Sequence, residues 1–395
     1  FLHEMKFTKY LIFFIVLIYS CPYGAQNLLV RLFSQNEIHS IELTVLQGSY
    51  QVHSKKGFLS EVSHGESLNL QVNSSNQIHI TKNGTFLGIH DTLFLLQSSH
   101  SDYVRLSPKL INQKDIKSRK YEGDFEISAL YGHIQVVNVI FLESYLEGVL
   151  ASEAGVRCAK EYYKIQAIIS RTFARNNLNK HMHQGFNLCD AVHCQAYYGN
   201  YQGELKGIKE GVKETYGVVL VDSNDCSFPT FFSANCGGQS AETDQIWNTS
   251  LPNYISHEDT FCIHTKQSNW EMYIAKSRLL NYLSENYFFD ISNRKNRYLA
   301  FNFTQTERKT FFIHPSYGIP LRDLRAAFKL RSTFFSCEPV GDKILLRGRG
   351  FGHGIGLCQE GAMEMVKLGF NYKEILNFYF RGSILADWNS PLSHW

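Results

Sequence analysis

From Leu28 to about Leu106, apolar and polar residues alternate in short runs. Examples are Leu43-Thr44-Val45, Tyr50-Gln51-Val52, Leu68-Asn69-Leu70-Gln71-Val72 and Ile78-His79-Ile80. Successive side chains of a strand leave opposite faces, so a period of two bounded by Gly, Ser and Asn predicts half-buried antiparallel strands. This gives a β-rich module over residues 28–115, with no constellation of reactive groups. After Tyr121-Glu122-Gly123-Asp124 the pattern changes. Strands are predicted at 125–130 and 133–137, followed by helical periodicity over 142–153 and 162–178. Strands return at 218–221, 230–233 and 344–347, and further helices are predicted over 270–288 and 359–368. The mixture lacks regular βαβ alternation. The expected fold is therefore α+β, with the β-rich N-terminal module followed by a mixed α+β domain over 120–387.

At 395 residues the chain is long enough for two domains with real cores. Its 29 Phe and 22 Tyr suit either sugar-stacking clefts or a thick core, and a net charge of +3 argues against a dedicated nucleic-acid binder. The N-terminus adds a location. Met5-Lys6-Phe7-Thr8-Lys9 precedes an apolar run from Tyr10 to Ile18, then Ser20, Cys21, Gly24 and Ala25. This is the layout of a secretory signal, too short for a comfortable transmembrane helix of about 20 residues. Residues 1–25 are thus read as a signal peptide or an N-terminal membrane anchor, and the protein as exported to the periplasm or cell envelope. Of nine cysteines, eight remain after removal of such a signal, an even number that permits disulfides in an oxidising compartment.

One carboxylate stands out on the helix predicted at 142–153. At about 100° per residue, Leu142, Tyr145, Leu146, Val149 and Leu150 share one side, and Glu153 falls near its middle. Glu143 and Glu147 lie about 90–130° away, as solvent-facing acids would. A carboxyl directed to the apolar side is desolvated and keeps its proton nearer neutral pH, which suits donation to a glycosidic oxygen. The competing reading is that Ala154-Gly155 ends the helix and the side chain reaches solvent past the last turn.

Two further stretches carry chemistry. His183, Cys189, His193 and Cys194 lie close together, with His181 competing with His183 for the fourth place. Thiol and imidazole donors in one short loop are the signature of tetrahedral zinc, whereas a Cys189–Cys194 disulfide would leave the histidines unexplained. No His-Glu-x-x-His occurs, so a zincin protease is unsupported. Gly348-Arg349-Gly350-Phe351-Gly352-His353-Gly354-Ile355-Gly356 fits neither nucleotide-binding register. Its alternate glycines permit close backbone approach around one exposed imidazole, His353, or else form a bulged strand.

Together these stretches resemble the sporulation stage II protein D (SpoIID)/LytB family. The resemblance rests on Tyr121-Glu122-Gly123, Leu142 to Val149 with Ser152-Glu153, and Gln166-Ala167 with Ser170-Arg171-Thr172. It continues through Cys189-Asp190, Cys194-Gln195-Ala196-Tyr197, Ser233-Ala234-Asn235-Cys236-Gly237-Gly238, Trp247, Pro252-Asn253-Tyr254 and Gly350 to Ala362. It implies a peptidoglycan lytic transglycosylase acting on glycan strands already stripped of stem peptides by a cell-wall amidase, in sporulation, division or wall turnover. Glu153 would be acid and then base, and no second catalytic carboxylate is required. Substrate contacts would come from Arg171, Gln195, Tyr197, Ser233, Gly237, Gly238, His353 and Gln359. Zinc, in a structural role, would be held by Cys189 and Cys194 with His183 and His193. The alternative within the family is a non-catalytic glycan-binding enhancer of an amidase. Two positions depart from the family pattern, Ala154 where Met is usual and Cys358 where Ser is frequent.

Overall fold

The computed structural model describes residues 27–110, 116–199, 205–247 and 249–387; the expected signal segment 1–25 lies outside them. Contacts divide the chain into two compact units, one reaching Val219 and the other spanning Leu220–Ala386.

The first unit is built on one 13-stranded sheet. Its strands are β1 (Asn27–Leu32), β2 (Ile38–Gln47), β3 (Ser49–Ser54), β4 (Gly57–Ser63), β5 (Ser67–Val72), β6 (Ile78–Lys82), β7 (Thr85–His90), β8 (Thr92–Gln97), β9 (Tyr103–Leu110), β10 (Arg119–Glu122), β11 (Asp124–Leu130), β12 (His133–Phe141) and β13 (Leu188–Cys189). The main path runs β4-β3-β8-β11-β12-β2-β5-β6-β7, with β1 on β12 and β13, and β9 on β2 and β10. The predicted alternation is realised residue by residue. Leu68, Leu70 and Val72 are buried while Asn69 and Gln71 are exposed, and Ile41 and Leu43 of β2 lie opposite Leu70 and Leu68. Cross-strand apolar pairs of this kind hold the register. The sheet continues past residue 115: Tyr121 of β10 pairs with Val104 of β9, and Phe125 of β11 with Leu95 of β8.

Three helices complete this unit, α1 (Leu142–Glu153), α2 (Lys160–Asn176) and α3 (Lys206–Glu214). Helix α1 starts directly at the end of β12 and buries Tyr145, Leu146, Val149 and Leu150. Helix α2 is buried around most of its circumference, including the polar residues Gln166, Ser170, Arg171 and Thr172. An all-round buried helix lacks a clean amphipathic stripe.

Strand β14 (Val218–Val221) leads into the second unit. It contains β15 (Phe232–Ser233), α4 (Asp244–Trp247), β16 (Asn269–Ala275), α5 (Lys276–Tyr287), α6 (Arg294–Phe301), α7 (Leu321–Phe328), β17 (Phe335–Val340), β18 (Lys343–Arg349), β19 (Leu357–Cys358), α8 (Gln359–Lys367), α9 (Tyr372–Tyr379) and β20 (Ile384–Asp387). Strands β16, β18 and β17 form an antiparallel sheet whose core includes Trp270, Ile274, Leu283, Phe312, Leu324, Phe335 and Ile344. The helix expected over 270–288 is two elements. Trp270 and Ile274 are buried beside exposed Asn269 and Glu271, and β16 pairs along its whole length with β18. Only from Lys276 does the chain become helical. Sheet pairing thus overrides the helical reading of Trp-Glu-Met-Tyr-Ile, a run of residues that also fit a pleated surface. The mixture of helices and strands is α+β.

Candidate functional site

Glu153 is the last residue of α1, and the helix does end there: Ala154 N–H caps onto Leu150 O, and Gly155 follows with a φ of 74°. The side chain does not run out into solvent. It is half-buried, and Glu153 Oε1 accepts a hydrogen bond of 2.7 Å from the backbone N–H of Ala196. Burial raises its pKa above the ordinary carboxylate value, and the Ala196 N–H opposes part of that rise. Glu153 Oε2 receives no hydrogen bond among the described residues, so one oxygen is held and the other is available to carry a proton.

The partner Ala196 belongs to a loop tied down at several points. Its start is β13, where Leu188 and Cys189 run parallel to Val30 and Arg31 of β1. Asp190, which follows, is buried and accepts from Phe33 N–H (2.7 Å), Ser34 N–H (2.9 Å) and Arg119 Nη1 (2.8 Å). That carboxylate is therefore committed to structure. Tyr145 of α1 donates to Gln195 Oε1 at 3.3 Å, and Tyr198 N–H to Ser152 Oγ at 3.1 Å. Gly148 allows the close approach of helix and loop, because a Cβ there would lie 2.5 Å from the Tyr197 ring.

Inside the same loop, His181, Cys189, His193 and Cys194 bring their donor atoms within 4.8 Å of one another. Cys194 Sγ is 3.5 Å from His181 Nε2, and Cys189 Sγ is 3.8 Å from His193 Nδ1. Two thiols and two imidazoles at these separations could hold one ion, since tetrahedral bonds of about 2.0–2.3 Å place donors roughly 3.3–3.8 Å apart. Cys189 and Cys194 are separate thiols. The Cys194 thiol beside it, with the Ala191 backbone and His193, holds Cys189 well below the ordinary thiol range, toward the thiolate that binds metal. The fourth side chain of the group is His181, and His183, the expected ligand, lies outside it. His181 stacks on Phe186 at 4.9 Å and points into the group, whereas His183 is exposed and contacts only the neighbouring Gln184 at 3.0 Å.

A sequence model of the SpoIID family, described as Stage II sporulation protein, matches residues 131–221, which include all of α1, α2 and the cysteine loop. The chain carries a SpoIID-family domain. Stage II sporulation protein D of Bacillus subtilis is 26% identical over 277 residues, covering 64% of this chain and 76% of its own length. An uncharacterized protein of Brachyspira hyodysenteriae is 27% identical over 258 residues, covering 64% and 69%. The amidase enhancer of Bacillus subtilis is 23% identical over 296 residues, covering 62% of this chain and 40% of its own length.

Within the SpoIID domain, several expected substrate contacts have other work. Arg171 is fully buried, with Nε 2.9 Å from Glu143 Oε1, Nη2 2.5 Å from Glu143 Oε2, and Nη1 donating to Val218 O. It cannot touch a glycan, and Glu143 is a buried ion-pair partner, not the solvent-facing acid expected. The 3.6-residue wheel places a side chain relative to its own helix only; α2 covers the face that carries Glu143. Tyr197 is likewise fully buried, its hydroxyl on Asn138 Oδ1 at 3.1 Å and its ring against Tyr145 and Tyr121. Gln195 is buried too, but its Nε2 has no partner among the described residues. Glu147 is half-buried, and desolvation raises its pKa to about 7, making it a second titrating acid on α1.

Ser233, Gly237, Gly238, His353 and Gln359 all fall in the second unit. Strand β15 pairs in parallel with β19, bringing Ser233 opposite Cys358. Gly352 lies against this loop with φ of 112°, and a Cβ there would meet Ser233 Cβ at 2.6 Å. The alternate glycines therefore serve close backbone approach, as their spacing implied. His353 is half-buried, not exposed: its ring lies 5.2 Å from Trp247, and Nδ1 accepts from Ile355 N–H. Burial, then the cations Arg325 and Arg308, push it down to about 4, so it is neutral at physiological pH. Ser233 Oγ and Gln359 Nε2 are buried atoms without a partner among the described residues.

Proposed function

We propose that the protein is a peptidoglycan lytic transglycosylase in which Glu153 acts as general acid and then as general base. The observation that carries this reading is the Glu153 carboxyl itself, half-buried, raised in pKa, and clamped through one oxygen by Ala196 N–H. Of the other acids on the same helix and loop, Glu143 is eliminated by its pairing with Arg171 and Asp190 by its saturation, while Glu147, also raised by desolvation, is the remaining rival, and Glu147→Gln tests it. The SpoIID match and the amidase enhancer relative support a cell-wall role.

In the proposed reaction, Glu153 Oε2–H gives its proton to the oxygen joining N-acetylmuramic acid C1 to N-acetylglucosamine. The C1–O bond breaks with its electron pair on that oxygen. The muramic 6-hydroxyl oxygen bonds to C1 and its proton passes to the Glu153 carboxylate, which restores the acid. The product is a 1,6-anhydro end, and no water is consumed. A single carboxyl suffices, unlike the pair used by ordinary glycosidases. The substrate is peptide-denuded glycan, so an amidase acts upstream, and the protein works outside the cytoplasm after export through residues 1–25. His181, Cys189, His193 and Cys194 would hold zinc, which would contribute folding energy and pin the loop that carries Ala196.

The test is incubation of the full chain with amidase-treated peptidoglycan and mass spectrometry of the products. Peptide-free saccharides ending in 1,6-anhydro-N-acetylmuramic acid are expected from the wild type and from Glu147→Gln, and their loss by at least about 100-fold in Glu153→Gln. Undiminished release by Glu153→Gln defeats the proposal. A second reading, a glycan-binding enhancer of an amidase, draws on Trp247 and Phe351, aromatic rings about 40% exposed near His353 in the second unit. Under that reading the chain co-sediments with glycan, yields no product, and is indifferent to Glu153→Gln.

A further inference from the structure

Three segments far apart in the chain converge on one point in the second unit, bringing together Cys236, the neighbouring pair Asp259 and Cys262, and Cys358. Their donor atoms lie within 4.8 Å of one another. All four residues are buried, with at most 1% of any of them exposed. Cys236 Sγ is 3.4 Å from Cys262 Sγ and 3.2 Å from Asp259 Oδ2. Cys236 and Cys358 are separated by 122 positions in sequence, so no local spacing announces the group.

The surroundings are arranged for anionic sulfur. Gly238 N–H donates to Cys262 Sγ at 3.3 Å, Cys236 N–H to Cys358 Sγ at 3.3 Å, and Gly361 N–H to Cys358 Sγ at 3.4 Å. Cys358 is also the N-cap of α8, where backbone N–H groups favour negative charge. Asp259 is oriented from behind by Tyr379 O–H on Oδ2 (2.9 Å) and Phe261 N–H on Oδ1 (3.0 Å). Such outer partners fix metal ligands in direction. The buried guanidinium of Arg308 donates to Cys236 O at 2.6 Å, bringing positive charge to the same pocket of residues.

As thiolates and a carboxylate, the four groups would repel one another and lose their hydration when buried together without a cation, and a bound cation removes both costs. A Cys236–Cys262 disulfide would use two sulfurs and leave the third, with a buried carboxylate, facing the same point. The geometry points to a second tetrahedral zinc site, of the Cys3Asp type, in the second unit. The Cys236–Cys262 and Cys236–Asp259 separations match donors around one ion with bonds of about 2.0–2.3 Å. With four protein donors and no exposed face, the site is closed and structural. It joins the loop after β15, the turn Thr260–Cys262 and the start of α8. Those segments carry Ser233, Gly237, Gly238 and Gln359, so the ion staples together the glycine-rich motifs of this unit. None of this depends on whether Glu153 cuts glycan.

The test uses the purified full chain, prepared without reductant, and zinc counted by inductively coupled plasma mass spectrometry. Cys262→Ser and Cys358→Ser are each expected to bind one equivalent of zinc per chain less than wild type, additively with the loss caused by Cys194→Ser. Zinc content unchanged by both substitutions overturns the site. Should either variant fail to fold, the wild type decides. Cys236, Cys262 and Cys358 are expected to resist a thiol-alkylating reagent until a strong chelator is added, and then to be alkylated as three thiols. A Cys236–Cys262 linked peptide, or the same alkylation with and without chelator, overturns it.

Discussion

The Glu153 carboxyl is placed by two opposing effects, desolvation that raises its pKa and the Ala196 N–H that lowers it. Two consequences follow at this scale, both with a sign. Under the proposed function Glu153 would act in its protonated form, so kcat/KM is expected to fall as pH rises through a limb above the ordinary value of 4.5. Glu147 titrates at about 7, so the limb must survive in Glu147→Gln if Glu153 is its source. The second consequence concerns stability. A carboxyl whose folded pKa is raised penalises the folded state once pH climbs above its unfolded value, and the penalty is complete above the folded value. Glu153→Gln removes the charge but keeps an acceptor for Ala196 N–H. The variant is therefore expected to melt at or above the wild-type temperature, with the difference growing from about pH 4.5 upward. Thermal melts of both proteins between pH 4 and 8 check this; a Glu153→Gln protein that loses stability relative to the wild type as pH rises contradicts it. The side of the helix on which Glu153 lies was legible from periodicity. Its partner was not, because Ala196 lies 43 residues away on a loop.

Helix α1 is held by what packs on it. The Arg171–Glu143 pair joins α1 to α2 with both partners out of water. Removing one partner strands a buried charge, and Arg171→Ala is expected to cost about 3–5 kcal/mol in urea unfolding with little change in the glycan affinity of the folded fraction. Gly148→Ala is expected to cost about 1–3 kcal/mol, because its Cβ would press into the Tyr197 ring and the Gly199 carbonyl. Conversely, an Arg171→Ala protein of wild-type stability would remove the structural assignment. The same scale shows where patterns mislead. The alternating strands of the first unit were readable because each has one buried face. The β16–α5 segment read as one helix because pairing with β18, a strand some 70 residues later, decides its first half. The acids of α1 were misread for a related reason: a wheel shows which side chains share a face, not which faces a second helix will cover.

Across the whole molecule, two clusters of metal-type donors stand beside the apolar cores, His181, Cys189, His193 and Cys194 in the first unit and Cys236, Asp259, Cys262 and Cys358 in the second. Under the zinc reading, a strong chelator is expected to lower the melting temperature by more than about 10 °C, since structural zinc contributes roughly 10–16 kcal/mol of apparent binding energy. Turnover would decline with unfolding and not at once; immediate loss of activity in a folded, chelated protein contradicts a structural role. By itself the sequence determined the α+β composition, the strand-rich beginning, the apolar-side glutamate, the metal-type loop at 181–194 and the family resemblance. Each of these is written in residues close together in the chain, where periodicity and spacing carry the information. Only the tertiary structure decided that His181 and not His183 joins Cys189, His193 and Cys194, that Arg171 and Tyr197 are buried supports, and that Cys236, Asp259, Cys262 and Cys358 meet. Those outcomes depend on which distant segments pack together, and a residue's neighbours across a fold leave no local trace in the order of the chain.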